Sequence, residues 1–252
     1  MTPYFERDGI VIYHGEALAT LQALPDASID AVITDPPYSS GGQFRGDRAG
    51  QSTTEKYVQS GTFLARADFS GDNRDQRGYA YWSALWLSEC LRIAKPGAPI
   101  CVFTDWRQLP VTTDMIQAGG WVWRGIVVWD KTEGARPLYG RFRPQCEFVV
   151  WGSAGPMPIN DGRPCLPGLY RAAIRQADKH HITGKPTEVM RGLVQIVPAG
   201  GVILDPFMGS GTTGRAALDC GYRFVGIELS ADNCAIAVER LAQSVLPLEV
   251  PA

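Results

Sequence analysis

Short runs of β-branched and aromatic residues alternate along the chain with segments in which apolar residues recur every three or four positions. The first pattern is typical of buried strands and the second of helices that pack on a sheet. The alternation predicts an α/β fold with a mostly parallel, twisted sheet and helices on both faces. Strands are predicted at 10–13, 29–35, 99–104, 121–129, 146–151, 202–206 and 223–228. Helices are predicted at 80–94, at 186–197, after Gly214 as far as about Cys220-Gly221 and, with Ser230 as N-cap, up to about Leu241.

Two long stretches interrupt this alternation. Residues 39–78 are polar and glycine-rich with charges of both signs, and residues 152–180 are rich in proline, glycine and arginine. Loops of this length in a compact domain are usually functional. We therefore predict a single domain over residues 1–252, in which 39–78 is a mobile loop and 152–180 is a short substrate-facing segment.

The composition indicates where the protein is expected to act, whether it binds a metal and what kind of partner it has. The 252 residues are 45% hydrophobic, and neither a membrane-spanning run nor a signal-peptide pattern is visible. The six cysteines are scattered without a C-x-x-C pair, which favours reduced thiols in the cytoplasm and no metal site. Residues 124–191 contain 11 Lys/Arg and 6 Asp/Glu, a local +5, whereas the remainder contains 13 and 20, or −7. A polyanion could dock on this middle region, although a solvated surface explains the charge equally well.

A glycine-rich turn follows the predicted strand 202–206. Its sequence, Gly209-Ser-Gly-Thr-Thr-Gly214, matches G-x-G-x-x-G, and the next strand ends in Glu228. Glycines let the backbone approach a ligand closely, and an acid at that position can accept both ribose hydroxyls of an adenosine. Dinucleotide-binding oxidoreductases have the same pattern. However, Asp205 before the loop would crowd a pyrophosphate but suits a cationic ligand, and only 24 residues follow Glu228, too few for the second half of a dinucleotide fold.

The predicted strand 29–35 ends in an acid, two prolines and a tyrosine. Because prolines have no N–H to donate, we expect the Asp35 carboxylate and the Pro36 carbonyl to be free to accept hydrogen bonds. Ligands of open α/β sheets bind at the carboxyl ends of strands, where the strand order reverses. If the two motif strands are neighbours there, Asp35 and Asp205 share one crevice. An amino group with two N–H donors would then fit the two acceptors.

These motifs resemble those of the S-adenosylmethionine-dependent DNA amino methyltransferases of the permuted β group. The matching segments are DPPY at 35–38, KPGAPICVF at 95–103, VVWDK at 127–131, HITGKP at 181–186 and DPFMGSGTT at 205–213. The resemblance implies a Rossmann-like methyltransferase fold with circularly permuted motif order, because the cofactor strand comes late in the chain. It also implies S-adenosylmethionine as cofactor and transfer of its methyl group to the N6 amine of adenine in double-stranded DNA.

The resemblance assigns roles to individual residues. It implies catalysis by Asp35, Pro36, Pro37 and Tyr38, with Tyr38 stacking on a base flipped out of the duplex. Glu16 stands where family members usually have an Asp, in the segment upstream of the catalytic motif. No metal site is expected, since a carboxylate cluster with metal-ligand spacing is not seen. Cofactor binding is implied for Asp205, Phe207, Gly209, Ser210, Gly211, Thr212, Thr213, Glu228, Glu16 and Lys185.

The basic middle region is then the expected DNA-binding surface, together with the loop 39–78. Because 152–180 is small for a recognition segment, we predict a homodimer in which one subunit flips the base and the other helps to grip the duplex. The expected setting is a cytoplasmic, DNA-associated bacterial or phage enzyme, with or without a partner restriction endonuclease. The predicted DNA contacts are Arg141, Arg143, Arg163, Arg171 and Arg175.

Three alternatives stay open at this point. Cytosine N4 is also an exocyclic amine that the same residues can serve, although cytosine enzymes of the family more often have Ser in place of Asp35. RNA or protein amides are modified by related motifs, which usually have Asn at that place. An NAD-binding oxidoreductase is the alternative from a different class, and tight NAD binding without affinity for S-adenosylmethionine would reveal it.

Overall fold

A computed structural model describes residues 1–39, 74–135, 137, 139–159, 162–173 and 185–242. Within this part of the chain, nine strands form one sheet in the order β1-β2-β9-β8-β3-β4-β6-β5-β7. The strands are β1 (Phe5–Arg7), β2 (Ile10–His14), β3 (Ala31–Thr34), β4 (Pro99–Thr104), β5 (Val122–Asp130), β6 (Cys146–Ser153), β7 (Leu169–Arg171), β8 (Val202–Asp205) and β9 (Arg223–Glu228). The helices are α1 (Ala17–Gln22), α2 (Gln76–Ile93), α3 (Leu109–Ala118), α4 (Thr187–Val194), α5 (Thr212–Asp219) and α6 (Ala231–Ala242).

Five central strands, β2, β9, β8, β3 and β4, run parallel to one another. β6 is antiparallel to both of its neighbours, so β5 again points in the common direction, and β7 is parallel to β5. β1 is an antiparallel edge strand. The predicted mostly parallel α/β sheet is therefore confirmed. Because β6 is reversed, its first residues lie at the edge of the sheet where the parallel strands end.

The central strands are buried on both faces of the sheet. Every residue of β3 and β4 is buried, which explains why both are continuous apolar runs without alternation. Val32 belongs to the core formed with α2 and α3, whereas its neighbour Ile33 belongs to the core formed with α4, α5 and α6. The sheet thus lies between two helical layers. None of the described helices is long and apolar enough to cross a membrane.

The strand order reverses between β8 and β3. From β8 the chain crosses through α5 to β9 on one side, and from β3 it continues to β4 on the other. Connections that diverge in this way leave a crevice at the carboxyl ends of the two strands, where open α/β sheets bind ligands. The glycine loop after β8 and the Asp35 loop after β3 therefore meet at one place.

The sequence patterns predict all strands except β1 and β7, and all helices except α1 and α3. The two strands have three residues each, too few for a periodicity to be visible. α3 contains Pro110 and two threonines, which lower helix propensity. Ser230 caps α6 as predicted, since its hydroxyl accepts a hydrogen bond from the Asn233 N–H at 3.3 Å.

The two irregular stretches differ from their predicted boundaries. The loop predicted at 39–78 ends before Asp75, which caps α2 by accepting a hydrogen bond from the Gly78 N–H at 2.7 Å. Residues 40–73 lie outside the described residues. The segment 152–180 contains β7, which pairs with β5 and extends the sheet.

Gly226 in β9 generates a prediction about this packing. A Cβ at this position would lie 2.3 Å from the sulfur of Met208 in the glycine loop and 2.8 Å from the Phe224 ring. Gly226→Ala should therefore lower the free energy of unfolding by about 1–3 kcal/mol, the usual cost of overpacking. Urea denaturation measures the change. Gly168→Ala is the control, because a Cβ there meets nothing within 4 Å; equal stability of the two variants would contradict the packing described.

Candidate active site

A buried carboxylate joins the ends of β8 and β3. Asp205, the last residue of β8, is 2% exposed, and its Oδ1 accepts a hydrogen bond from the Thr34 hydroxyl at 2.7 Å. The Thr213 hydroxyl donates to Oδ2 at 2.6 Å, and the Phe207 N–H donates to Oδ1 at 3.1 Å. Since Asp35 directly follows Thr34, the predicted proximity of Asp35 and Asp205 is confirmed.

The environment of Asp205 changes its ionisation. Burial raises its pKa to about 6, because desolvation disfavours the charged form more than the hydrogen bonds to it favour that form. The nearby Asp35 carboxylate adds to the rise. Asp205 thus holds the glycine loop through hydrogen bonds with Phe207 and Thr213, and one acceptor position on its Oδ2 remains for a cationic ligand.

The glycine loop has the backbone that a ligand cradle requires. Gly209 and Gly211 have φ angles of +53° and +80°, in the left-handed region that glycine favours. A Cβ built on Gly209 would have nothing within 4 Å, so that side of the loop is open to a ligand. Gly214 is different, because a Cβ there would meet the Phe224 ring at 2.8 Å. The first two glycines shape the loop, and the third lets α5 pack closely on the sheet.

Two residues predicted to bind the cofactor, Ser210 and Thr212, are in contact with α6. Arg240 Nη1 donates to the Ser210 carbonyl at 2.8 Å and lies 3.2 Å from the Ser210 hydroxyl and 3.3 Å from that of Thr212. Arg240 therefore fastens the glycine loop to the helix that follows β9. The sequence contains no signal for this contact, since it follows only from the packing of α6 beside α5.

Two acids lie beside this loop, Glu228 as the last residue of β9 and Glu16 just after the neighbouring strand β2. Glu228 Oε2 accepts a hydrogen bond from the Gly209 N–H at 2.9 Å, and Oε1 accepts one from the Ser230 N–H at 2.8 Å. The ends of β9 and β2 are adjacent in the sheet. Glu16, just after β2, caps α1 by accepting a hydrogen bond from the Ala19 N–H at 2.8 Å. Both carboxylates thus lie at one corner of the crevice.

This corner fits an adenosine cofactor with a cationic centre, as in S-adenosylmethionine. Glu16, Asp205 and Glu228 each keep at least one unused acceptor position for hydroxyl or ammonium donors. Three acids around one loop would repel a pyrophosphate, whereas they attract a positive charge. The Phe207 ring adds an apolar wall, with its centroid 5.1 Å from that of Trp86 and 5.4 Å from that of Trp82.

The Asp35 carboxylate is not free, and the prediction that it is free is wrong for this structure. Its Oδ1 accepts a hydrogen bond from the Tyr38 hydroxyl at 2.5 Å, and Lys185 Nζ lies 2.7 Å from its Oδ2. The Lys185 ammonium also lies 5.2 Å from the centroid of the Tyr38 ring and 5.4 Å from that of Phe103. The prolines provide no local donor, as expected, but a lysine from a distant part of the chain provides one.

Lys185, which the resemblance assigns to the cofactor, contacts Asp35 in the structure. It is 7% exposed, and burial alone would lower its pKa, but the attraction of Asp35 and Glu147 outweighs burial and raises it. Burial also raises the pKa of Asp35, and Lys185 offsets only part of this rise. Pro36 is buried and Pro37 half-buried. Among the described residues, none donates a hydrogen bond to the Pro36 carbonyl, which stays available.

Two further charged residues complete this corner, and sequence reasoning assigns neither to the site. Glu147 at the start of β6 lies 3.3 Å from Lys185 Nζ, and Lys131 after β5 lies 3.3 Å from the other Glu147 oxygen. Burial would raise the pKa of Glu147, but the two lysines outweigh it and the pKa is lowered. Only the reversed direction of β6 brings Glu147 to this edge of the sheet.

Three of the predicted DNA-binding arginines lie at the same edge as Asp35. Arg141 and Arg143 are exposed in the connection between β5 and β6, and Arg171 ends β7. Two aromatic side chains in that connection are also exposed, Phe142 at 100% and Tyr139 at 94%. No sequence motif marks this phenylalanine as functional, although the sequence does show that it lies between two arginines.

The other two arginines do not join this group. Arg163 donates a hydrogen bond to the Ile196 carbonyl at 2.6 Å, close to the start of β8 and therefore at the opposite edge of the sheet. Arg163 therefore does not lie at the edge of the sheet where Asp35 lies, and its contact with DNA stays a prediction. Arg175 lies outside the described residues.

Known proteins resemble this chain in sequence and in fold. YubD of Escherichia coli (strain K12), which is named as a methylase, is 27% identical over 233 residues, covering 90% of this chain and 88% of that protein. The crystal structure of the M1.HpyAVI-SAM complex has a TM-score of 0.65 at 22% identity, covering 92% of this chain and 98% of that one. The cytosine-N4-specific PvuII DNA methyltransferase has a TM-score of 0.69 at 18% identity, covering 94% and 88% of the two chains. The family profile for N6 and N4 enzymes, described as DNA methylase, matches residues 29–161 and 168–239. Because this profile covers most of the sequence, the chain belongs to the N6/N4 DNA methylase family.

Proposed function

We propose that this protein transfers the methyl group of S-adenosylmethionine to the exocyclic N6 amine of an adenine in duplex DNA. One observation carries the proposal, the hydrogen bond from Thr34 to Asp205, which holds the Asp35 loop directly beside the glycine loop. A methyl donor bound by one loop and an amine bound by the other would share one crevice. Membership of the DNA methylase family supports the substrate class.

The glycine-loop corner would hold the cofactor. S-adenosylmethionine supplies a methyl group on a positively charged sulfur, which keeps the electron pair of the bond that breaks. Glu228 would accept hydrogen bonds from the ribose hydroxyls, and Glu16 would contact the adenine side. Asp205 would attract the methionine ammonium through its remaining acceptor position. The acidic corner therefore favours a cationic cofactor over a neutral or anionic one.

The Asp35 corner would prepare the substrate amine. An adenine amino nitrogen is a weak nucleophile, because its lone pair is delocalised into the ring. Hydrogen bonds from its two N–H groups to the Asp35 carboxylate and the Pro36 carbonyl would favour a pyramidal nitrogen with an available lone pair. The amine must replace the Tyr38 hydroxyl on Asp35 Oδ1, and Tyr38 is then free to stack on the flipped base.

Methyl transfer leaves the nitrogen positively charged with one extra proton, and we expect the Asp35 carboxylate to accept that proton. Because burial raises the pKa of Asp35, its carboxylate takes a proton more readily than an exposed aspartate would. The proton passes from there to solvent as the product leaves.

Cytosine N4 is a second candidate target. The cytosine-N4-specific PvuII enzyme has a similar fold, and two acceptors can serve either amine. The acid at position 35 favours adenine, since the cytosine enzymes that the motif resembles more often have Ser there. Mass spectrometry of nucleosides from the DNA of cells that express the protein distinguishes N6-methyladenine from N4-methylcytosine.

The arm between β5 and β6 is the proposed DNA-binding element, defined here as residues 139–143. Two hydrogen bonds join the ends of the connection that contains the arm. The Lys131 N–H donates to the Gln145 carbonyl at 2.9 Å, and the Gln145 side-chain amide donates to Asp130 at 2.7 Å. Exposed arginines suit phosphates, and exposed aromatic rings suit base or sugar surfaces. A second copy of the chain that grips the rest of the duplex belongs to the same proposal.

Glu228→Ala tests the cofactor corner. Loss of an ionised acceptor should weaken S-adenosylmethionine binding by about 1.5–3 kcal/mol, as measured by titration calorimetry. Glu239→Ala is the control, because Glu239 is an exposed acid on α6 and its loss should leave affinity unchanged. Equal affinity of the two variants would argue against the cofactor site.

Asp35→Asn tests the catalytic corner. The variant should lower the methylation rate by about 10²–10³-fold, the scale of losing one electrostatic stabiliser, while cofactor affinity stays within about twofold of wild type. Asp105→Asn is the matched control, since this acid follows the neighbouring strand β4 and, within the described part of the chain, accepts hydrogen bonds only from local N–H groups and Arg107. Near-normal methylation by Asp35→Asn would defeat the mechanism.

Replacement of Arg141 and Arg143 by Ala tests the arm. Each substitution should weaken binding to any duplex and reduce the slope of log affinity against log salt by about 1, because one phosphate contact is lost. Arg163→Ala is the control at the opposite edge. If Arg163→Ala reduced the salt slope as much as the arm variants do, the proposed orientation of DNA would be wrong.

A further inference from the structure

Four charged side chains form an unbroken series across the catalytic corner. Asp35 Oδ2 lies 2.7 Å from Lys185 Nζ, which lies 3.3 Å from Glu147 Oε2, and Glu147 Oε1 lies 3.3 Å from Lys131 Nζ. Glu147 lies in β6, Asp35 and Lys131 directly follow β3 and β5, and Lys185 precedes α4. Two acids and two lysines balance in charge, so the series does not need an external counter-ion.

Lys185 contacts its two acids, Asp35 and Glu147, at different distances. Its contact with Asp35 has the length of a strong charge-assisted hydrogen bond, whereas its contact with Glu147 is longer. Glu147 Oε2 is buried and accepts no hydrogen bond of good geometry. A buried acceptor in this state is unfavourable, and a small movement of the lysine ammonium toward Glu147 would satisfy it. The same movement would release Asp35 Oδ2.

We propose that Glu147 is a positioning residue that shares Lys185 with Asp35 and draws the lysine away when the substrate amine binds, while Lys131 holds Glu147 in place. This inference rests on the proposed function, since it concerns the acid that binds the amine. It adds Glu147 and Lys131 to the residues on which the reaction depends. Neither residue contacts the substrate in this proposal, because both act through Lys185.

The arrangement answers two opposed requirements on Asp35. Its carboxylate must be ionised in order to accept the proton that methyl transfer releases, and a nearby cation favours the ionised form. A lysine bonded to Asp35 alone would make the carboxylate a weaker acceptor and a weaker base for the amine that binds at Oδ1. A cation shared between two acids meets both requirements, because it stabilises the charge of Asp35 and still has a second partner. Tyr38, Lys185, Glu147 and Asp205 are the groups that face Asp35 electrostatically.

The pH dependence of methylation tests the proposal, since two variants should shift it in opposite directions. Glu147→Gln removes a charge that raises the pKa of Asp35 and leaves Lys185 entirely to Asp35, so the acidic limb of the kcat profile should move to lower pH. The plateau kcat should fall by about 10- to 100-fold, because a lysine that is no longer shared makes Asp35 a weaker acceptor and base for the amine. Lys185→Met removes the cation that lowers the pKa of Asp35, so the acidic limb should move to higher pH. Glu147→Asp keeps the charge and should retain the wild-type limb.

Lys95→Met is the matched control for loss of an ion pair. Lys95 lies 2.7 Å from Asp30 at the other end of the strand that leads to Asp35. This variant should change stability without moving the acidic limb or the plateau. S-adenosylmethionine affinity should stay within about twofold of wild type in Glu147→Gln, and thermal unfolding identifies any variant that fails to fold.

A readout that needs no methylation completes the test. In the ligand-free protein, the NMR titration of the Lys185 side chain should show a lower pKa in Glu147→Gln than in wild type, because one of its two acids is gone. The proposal is overturned if this titration is unchanged, or if Glu147→Gln keeps the wild-type limb and plateau as Lys95→Met does. Absence of DNA methylation by the wild-type protein would instead reject the proposed function, while the titration would still report on the shared lysine.

Discussion

The buried carboxylate of Asp205 is the constraint on which the rest of the site depends. An ionised group in the core is strongly unfavourable unless donors surround it. Here the donors come from Thr34 in β3, from Thr213 in α5 and from the Phe207 N–H in the loop between β8 and α5. These groups meet only when β3 and β8 pair in register. The hydrogen bonds that satisfy the charge therefore also align the two loops of the crevice.

The two halves of the crevice solve the problem of buried charge differently. The glycine-loop corner has an excess of carboxylates, which backbone N–H groups and hydroxyls stabilise, so the corner stays attractive to a cation. The other corner pairs Asp35 and Glu147 with Lys185 and Lys131, so its charges balance. A balanced corner suits a neutral base, since no net charge has to be neutralised when the base enters. One crevice can thus accept a charged cofactor and an uncharged substrate side by side.

The reversed strand β6 is what makes the second corner possible. In a fully parallel sheet, only residues that follow strands reach the ligand-binding edge. β6 runs the other way, so Glu147 reaches this edge from the beginning of a strand. The connection from β5 to β6 also turns at this edge, which places Arg141, Phe142 and Arg143 there. One antiparallel strand therefore contributes both a buried acid and an exposed basic arm.

The sequence by itself determined the features that depend on local chemistry. Glycines specify the left-handed turns of the loop, prolines remove the backbone N–H donors at positions 36 and 37, and continuous apolar runs specify the central strands. The motif order also placed Asp35 and Asp205 in one crevice, because carboxyl ends of parallel strands share an edge. Tertiary structure alone decided that Lys185 occupies Asp35 and that Arg163 faces the opposite edge. These contacts join distant segments, and their partners depend on strand direction and helix packing, which no local pattern of residues records.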